Sequence, residues 1–141
     1  MNKIYKVEII TRPELFDDLK EALNYLGVNG MTVSDVNGCG MQKGHTYYRG
    51  VKRDVNLIKK IKVTVVVSEI PYEEVLKTVE KCLKTGTVGD GKCFVTEVVD
   101  VLRIRTGERG VAALMGANEC QVIYNLYKPL LRVAFSFDSL I

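Results

Sequence analysis

The chain has 141 residues, with 20 Lys and Arg against 17 Asp and Glu for a formal net charge of +3; 47% of its residues are hydrophobic and 26% charged. That length suits one domain with its own core, and the balance excludes wholesale disorder, a collagen-like repeat and a coiled coil. Mean hydropathy is +0.05, and no uncharged apolar run approaches the roughly 18 residues of a membrane span, so no direct membrane insertion is expected. The opening stretch from Met1 to Glu8 carries charge inside its apolar pattern and does not read as a signal peptide, which makes the cytoplasm the expected location. The four cysteines, Cys39, Cys82, Cys93 and Cys120, form no Cys-x-x-Cys pair, and His45 is the single histidine. A zinc site therefore has little support, and the thiols read as free.

Lys3 to Ile10 is rich in β-branched residues and reads as a strand. Pro13 then suits a first helical position, with Glu14, Asp17 and Asp18 in the opening turns. Leu15, Leu19, Ala22, Leu23 and Leu26 recur at helical spacing, and Gly27 supplies a stop. Met31 to Val36 alternates as a second strand. Asn37 to Lys59 follows neither period, and a long irregular loop between two strands marks function. Ile61, Val63, Val65 and Val67 make a third strand. Pro71 opens a second helix with Glu73 and Glu74 in its first turns and Val75, Leu76, Val79, Cys82 and Leu83 on its apolar face. A glycine-dense loop, Thr85 to Gly91, leads to a last strand from Phe94 to Val101 that runs on to Ile104.

The order is strand, helix, strand, repeated, with a proline and acids opening each helix. This is the split βαβ plan, an α+β ferredoxin-like βαββαβ sandwich with two helices on one face of an antiparallel sheet. The other face, bearing Val, Ile and Thr, needs a cover, so self-association is expected. The residues from Val111 to Ile141 are too apolar for a free tail, and Pro129 blocks one continuous helix, so a short helix and then an extended packed segment are expected.

Charge is uneven. Met41 to Lys62 holds seven bases and one acid, Asp54, whereas the rest of the chain holds 13 bases and 16 acids. Such a segment suits an anionic ligand, an acidic partner or nucleic acid, or is simply a solvated basic loop. Three stretches carry candidate chemistry. In Gly38-Cys39-Gly40-Met41-Gln42-Lys43-Gly44-His45 the glycines let backbone approach a ligand, Gln42 offers an oxygen to a metal and Lys43 a charge. In Thr85-Gly86-Thr87-Val88-Gly89-Asp90-Gly91-Lys92 glycines stand beside a lysine, as in a phosphate cradle, although Cys93 breaks the P-loop pattern. Arg103 and Arg105 stand two apart on a chain expected to be extended, which directs both guanidinium groups to one side. The bland alternatives are a surface turn, a helix-to-strand turn and surface ion pairs. No nucleophile–base pair stands out, so binding is favoured over turnover.

Together, Gly30-Met31-Thr32-Val33, Gly38-x-Gly40-x-Gln42-Lys43-Gly44-His45-Thr46, Tyr48-Arg49-Gly50, Thr85-Gly86-x-Val88-Gly89-Asp90-Gly91-Lys92 and Arg103-Ile104-Arg105-Thr106-Gly107-Glu108 resemble the PII nitrogen-regulatory signalling proteins. The resemblance covers residues 1–110, with a T-loop at about 41–60, a B-loop at 85–92 and a C-loop at 103–109; residues 111–141 form an extension packed on the core or on a neighbouring subunit. It implies a homotrimer that senses ATP and ADP, with Mg2+ and 2-oxoglutarate, and regulates nitrogen-metabolism targets through the T-loop. The implied nucleotide set is Thr32, Gly38, Gly40, Val66, Gly89, Asp90, Gly91, Lys92, Arg103 and Arg105. Gln42, Lys43, Gly44 and Lys60 match the 2-oxoglutarate positions, with Gln42 also on Mg2+. Tyr48, Arg49 and Gly50 match partner-binding positions, Arg49 being the arginine that enters an ammonium-transporter pore of the Amt family.

The departures are specific. The T-loop is one residue short of the common pattern, Arg53 stands at the uridylylation position and Val51 at the phosphoserine position, so neither modification is expected; Tyr47 aligns with neither. Thr64, Met41 and Cys93 replace residues common in the family. Other targets that suit such a loop are nitrogenase, glutamine synthetase, a carboxylase component or another transporter. An alternative activity is slow ATP hydrolysis in the same intersubunit cleft, disfavoured by the lack of a general base. An RNA-recognition module shares the element order but stacks bases on sheet aromatics, which the strand Ile61 to Val67 lacks; no nucleic-acid partner is expected.

Overall fold

A computed structural model describes residues 2–28, 30–39, 44–49, 51–55 and 57–115, with backbone alone for 44–48 and 51–55. The chain divides into two units, Met1–Asp100 and Val101–Ile141. The first holds β1 (Ile4–Thr11), a 3-10 turn (Pro13–Leu15), α1 (Phe16–Leu26), β2 (Thr32–Gly38), β3 (Gly44–Tyr48), β4 (Val51–Val55), β5 (Ile58–Val67), α2 (Tyr72–Leu83) and β6 (Lys92–Val98); the second holds α3 (Val111–Leu114).

β2, β5, β1 and β6 lie in that order in one antiparallel sheet, and β3 pairs with β4 in a separate two-stranded ribbon. Register puts alternate residues of β1 on each face. Val7 stands opposite Val65 and Val95, and Ile9 opposite Val63 and Cys93. These residues face the helices, and Val7, Ile9, Val63 and Val65 are fully buried against Leu19 and Leu23 of α1 and Val75 of α2. Each such side chain contributes about 1.5–3 kcal/mol by leaving water. Tyr5 adds a tilted ring contact with Tyr72 at 4.7 Å between centroids.

The helices begin and end where their sequence signals stand. Pro13 opens the 3-10 turn that feeds α1, and Asp17 and Asp18 occupy the first turn of α1, where acids favour the dipole. Gly27 closes α1 at φ 105°, donating to the carbonyls of Asn24 and Leu23, while Val28 donates to Leu23 at 2.9 Å. Pro71 caps α2, with Glu73 and Glu74 following.

The structure corrects the reading of Asn37 to Lys59 as aperiodic loop. β2 and β5 keep pairing out to Gly38 opposite Ile58, and β3 meets β4 from Gly44 opposite Val55 to Tyr48 opposite Val51. Lys52, Arg53 and Asp54 stand consecutively in this stretch, so no apolar alternation reveals it. Arg49 begins its tight turn at φ 49°, the left-handed conformation that such turns require. The last strand is also shorter than expected. β6 stops at Val98 because its partner β1 begins at Ile4, opposite Val98, so Val99 to Val101 have no ladder to join. Register further sets Lys6, Glu8, Lys62 and Lys92 among Ile10, Val66 and Phe94 on the helix-free face, which is therefore more charged than its β-branched residues suggested.

Leu23→Ala is expected to cost about 2–5 kcal/mol, whereas Tyr25→Ala, on the same helix but 96% exposed, stays within about 0.5 kcal/mol. Urea unfolding of both variants checks this; equal losses contradict the assigned helix face.

Candidate functional site

The loop after α2 is built from glycines in backbone conformations that other residues rarely adopt. Gly86, Gly89 and Gly91 have φ of 80°, 105° and 106°. Gly91 is also sterically obligatory: a Cβ there would lie 1.8 Å from the carbonyl oxygen of Ile10 in β1. The loop thus rests directly on the end of the central strand.

Asp90 organises the loop from inside. Its carboxylate accepts from the amides of Thr85 at 2.8 Å and Gly86 at 2.9 Å and from the Thr85 hydroxyl. Arg12, just past the end of β1, donates from Nη1 to Asp90 at 3.1 Å and from Nη2 to the Thr87 hydroxyl and the Val88 carbonyl, each at 3.2 Å. The buried Thr11 hydroxyl donates to the Asp90 carbonyl at 3.0 Å. The Thr85 hydroxyl and amide bonds, with the Gly86 amide and the Arg12 charge, hold the Asp90 carboxyl down at about 2 against the opposing effect of burial.

A second cation reaches the loop from β5. Lys60 is only 9% exposed and donates from Nζ to the Gly89 carbonyl at 2.8 Å. Burial lowers its pKa first and the nearby Arg12 charge second, with Glu14 and Asp90 opposing. A glycine loop with left-handed backbone and flanking cations has the chemistry of an anion cradle.

Of the residues singled out in the sequence, Lys60, Gly89, Asp90 and Gly91 are therefore brought together. Lys92 is exposed at the start of β6, opposite Ile10, whose other neighbour is Lys62. Thr32 opens β2 opposite Thr64, and Val66 lies farther along β5 opposite Lys6. Gly38 ends β2 with room for a Cβ only 3.4 Å from the Lys60 side chain. Gly44 and Tyr48 begin and end β3, Val51 and Arg53 lie in β4, and Arg49 is exposed in the turn. Gly40, Met41, Gln42, Lys43 and Gly50 lie outside the described residues. Among those described, no group of three or more His, Cys, Asp or Glu suits a metal ion. Arg12 and Thr11 carry no motif of their own. Their one signal is position, a cation and a hydroxyl at a strand-to-helix junction.

The second unit corrects the expected geometry of Arg103 and Arg105. Residues 104–106 form a turn and not an extended strand. Leu102 bridges Arg109, the Arg103 amide donates to the Glu108 carbonyl at 2.9 Å, and the Gly107 amide donates back to the Arg103 carbonyl at 2.8 Å. Gly107, at φ 74°, permits this reversal. The two arginines therefore do not present parallel forks. Arg103 is only 22% exposed, its Nη1 bonded to Glu108 at 2.9 Å and its Nη2 to the carbonyls of Ala113, at 3.1 Å, and Met115. Arg105 is exposed.

The class that these features define is a ferredoxin-like α+β protein with a clamped glycine loop. The family model described as nitrogen regulatory protein P-II matches residues 4–108. A nitrogen regulatory PII-like protein of Bacillus subtilis (strain 168) is 49% identical over 113 residues, covering 79% of this chain and 97% of its own length. Among solved structures, the B. subtilis GlnK–ATP complex superimposes with TM-score 0.65 at 40% identity over 79% of this chain and 97% of that one. Arabidopsis thaliana PII bound to citrate gives TM-score 0.65 at 41% identity over 79% and 92%. The chain belongs to the nitrogen regulatory P-II family.

Two outcomes test the loop. Gly91→Ala is expected to destabilise the fold by about 3 kcal/mol or more, because backbone must move to admit the methyl group; a wild-type melting temperature contradicts the close approach to Ile10. Asp90 has a folded-state pKa of about 2, below its ordinary 3.8, so it stabilises the fold above pH 3.8 and loses that effect as pH falls toward 2. Asp90→Asn should then melt a few degrees below wild type at pH 7, with the gap closing as the pH approaches 2.

Proposed function

We propose that this chain is a PII-type signalling protein that binds ATP or ADP at its glycine loop and regulates nitrogen-metabolism targets through the arm at residues 41–60. The carrying observation is the loop itself: glycines at positive φ, one of them sterically obligatory, held by Arg12, Asp90 and Lys60. The ATP complex of B. subtilis GlnK supports a nucleotide as the anion. Gly89, Asp90, Gly91, Lys92, Arg103 and Arg105 are assigned to its phosphates, and Thr32, Gly38, Gly40 and Val66 to its base and ribose. As in other PII proteins, the functional unit is a homotrimer with a nucleotide between neighbouring subunits.

The second ligand is 2-oxoglutarate, bound with Mg2+ at Gln42, Lys43, Gly44 and Lys60. The citrate complex of the Arabidopsis relative supports a polycarboxylate as a ligand class. Lys60 is bonded to a neutral carbonyl in this structure, and a carboxylate is a stronger partner for an ammonium. Lys60 lies two residues along β5 from Ile58, which pairs with Gly38 at the root of the arm. A ligand that takes Lys60 from Gly89 therefore acts on the base of the arm. The excess of bases from Met41 to Lys62, seven against one acid, gives an anion a second effect, by reducing self-repulsion. Such differential contacts supply the coupling, typically about 1–3 kcal/mol, that a sensor needs. The target is a membrane ammonium transporter of the Amt family. Arg49, exposed at the ribbon's turn, is the pore-entering residue, together with Tyr48 and Gly50.

Replacing Arg103 and Arg105 together by alanine should weaken ATP binding about 100-fold or more, since hydrogen bonds to charged groups are each worth about 1.5–3 kcal/mol, while the trimer persists. Titration calorimetry and sedimentation measure both. A monomeric wild type, or a double variant with wild-type ATP affinity, overturns the reading.

A further inference from the structure

We infer that the segment entering the C-terminal extension is an autoinhibitory strap: the end of α3 occupies the guanidinium of Arg103, so that tail and nucleotide compete for one cation. The inference rests on the reading of Arg103 as a phosphate-binding residue and adds a regulator to that site.

Bidentate recognition of phosphate by arginine uses the two terminal nitrogens of the fork. Here both are engaged within the second unit. Nη1 holds the Glu108 carboxylate at 2.9 Å, and Nη2 holds the carbonyls of Ala113, at 3.1 Å, and Met115. These partners mimic what a phosphate offers. Glu108 brings a full negative charge, and the carbonyls at the end of a helix lack intrahelical partners and carry the negative end of its dipole. α3 has only four residues, so every one of its carbonyls is close to that end.

The chain is shaped to make this contact. Gly110 precedes α3 at φ 69° and ψ −146°, a conformation that glycine alone adopts readily. Its amide donates to the Val101 carbonyl at 2.9 Å, and the Ala113 amide donates back to Gly110 at 3.0 Å. The reversal at Gly110 thus returns the chain to the arginine it has just left.

Competition has two consequences. Apparent nucleotide affinity falls by the fraction of molecules whose strap is open. By linkage, a bound nucleotide must also release the strap, which makes the segment from Gly110 to Met115 a second output of the nucleotide site besides the arm.

The test uses the full-length chain. Gly110→Ala strains the reversal, and Ala113→Pro removes the amide that closes it. By calorimetry, each should bind ATP about 5–10-fold more tightly than wild type, within the usual range of allosteric coupling, and each should leave affinity unchanged when Arg103 is already alanine. If Arg103→Ala loses ATP while both strap variants bind no better than wild type, the strap is wrong and the nucleotide site stands. If Arg103→Ala binds ATP as wild type does, the site reading fails and takes the strap with it. A second readout needs no variant: saturating ATP should speed hydrogen exchange at the Ala113 amide of the wild-type protein, and unchanged or slower exchange overturns the proposal.

Discussion

The ion pair between Arg12 and Asp90 joins the end of the central strand to the loop after α2, and the candidate site depends on it. Two halves of the chain that are 78 residues apart meet there. Asp90 turns the loop's own amides inward, and Arg12 fixes the outer edge through Thr87 and Val88. Without that clamp the three left-handed glycines would leave the loop a broad ensemble, because glycine loses more conformational freedom on ordering than any other residue. With it, the backbone is set before any ligand arrives, so less ordering entropy opposes binding.

Most of the architecture was legible from the residues. Pro13, Asp17, Asp18 and Gly27 bracket one helix, and Pro71, Glu73 and Glu74 open the other, because capping and dipole effects act over one turn and leave a local mark. The strand through Val63, Val65 and Val67 shows its period because one face is buried. What stayed hidden was set by partners distant in sequence. Val99 and Val101 continue an apolar pattern, and β6 ends before them only because β1 has run out opposite. The β3–β4 ribbon carries lysine, arginine and aspartate in a row, which leaves no apolar alternation in the sequence to betray it.

The candidate site divides in the same way. The glycines of residues 85–92 announce a backbone meant for close approach, and the family motifs imply a ligand class by resemblance. The clamp itself was not legible, since an arginine before a proline has no distinctive pattern until Asp90 is folded against it. Arg103 and Arg105 are the opposite case. Both were picked out, but the assumption of an extended chain gave them the wrong geometry, although Thr106-Gly107 already contained a turn signal.

The first strand to be synthesised is an interior strand of the sheet. β1 pairs on one side with β5 and on the other with β6, the last strand of its unit. β5 begins at residue 58 and β6 at residue 92, so the hydrogen-bonding edges of Ile4 to Thr11 stay open until those strands have been made. Long-range pairing of this kind slows folding and exposes nascent chains to wrong partners. Exposure of a β-rich, apolar segment until both of its later neighbours arrive is thus a consequence of strand order alone.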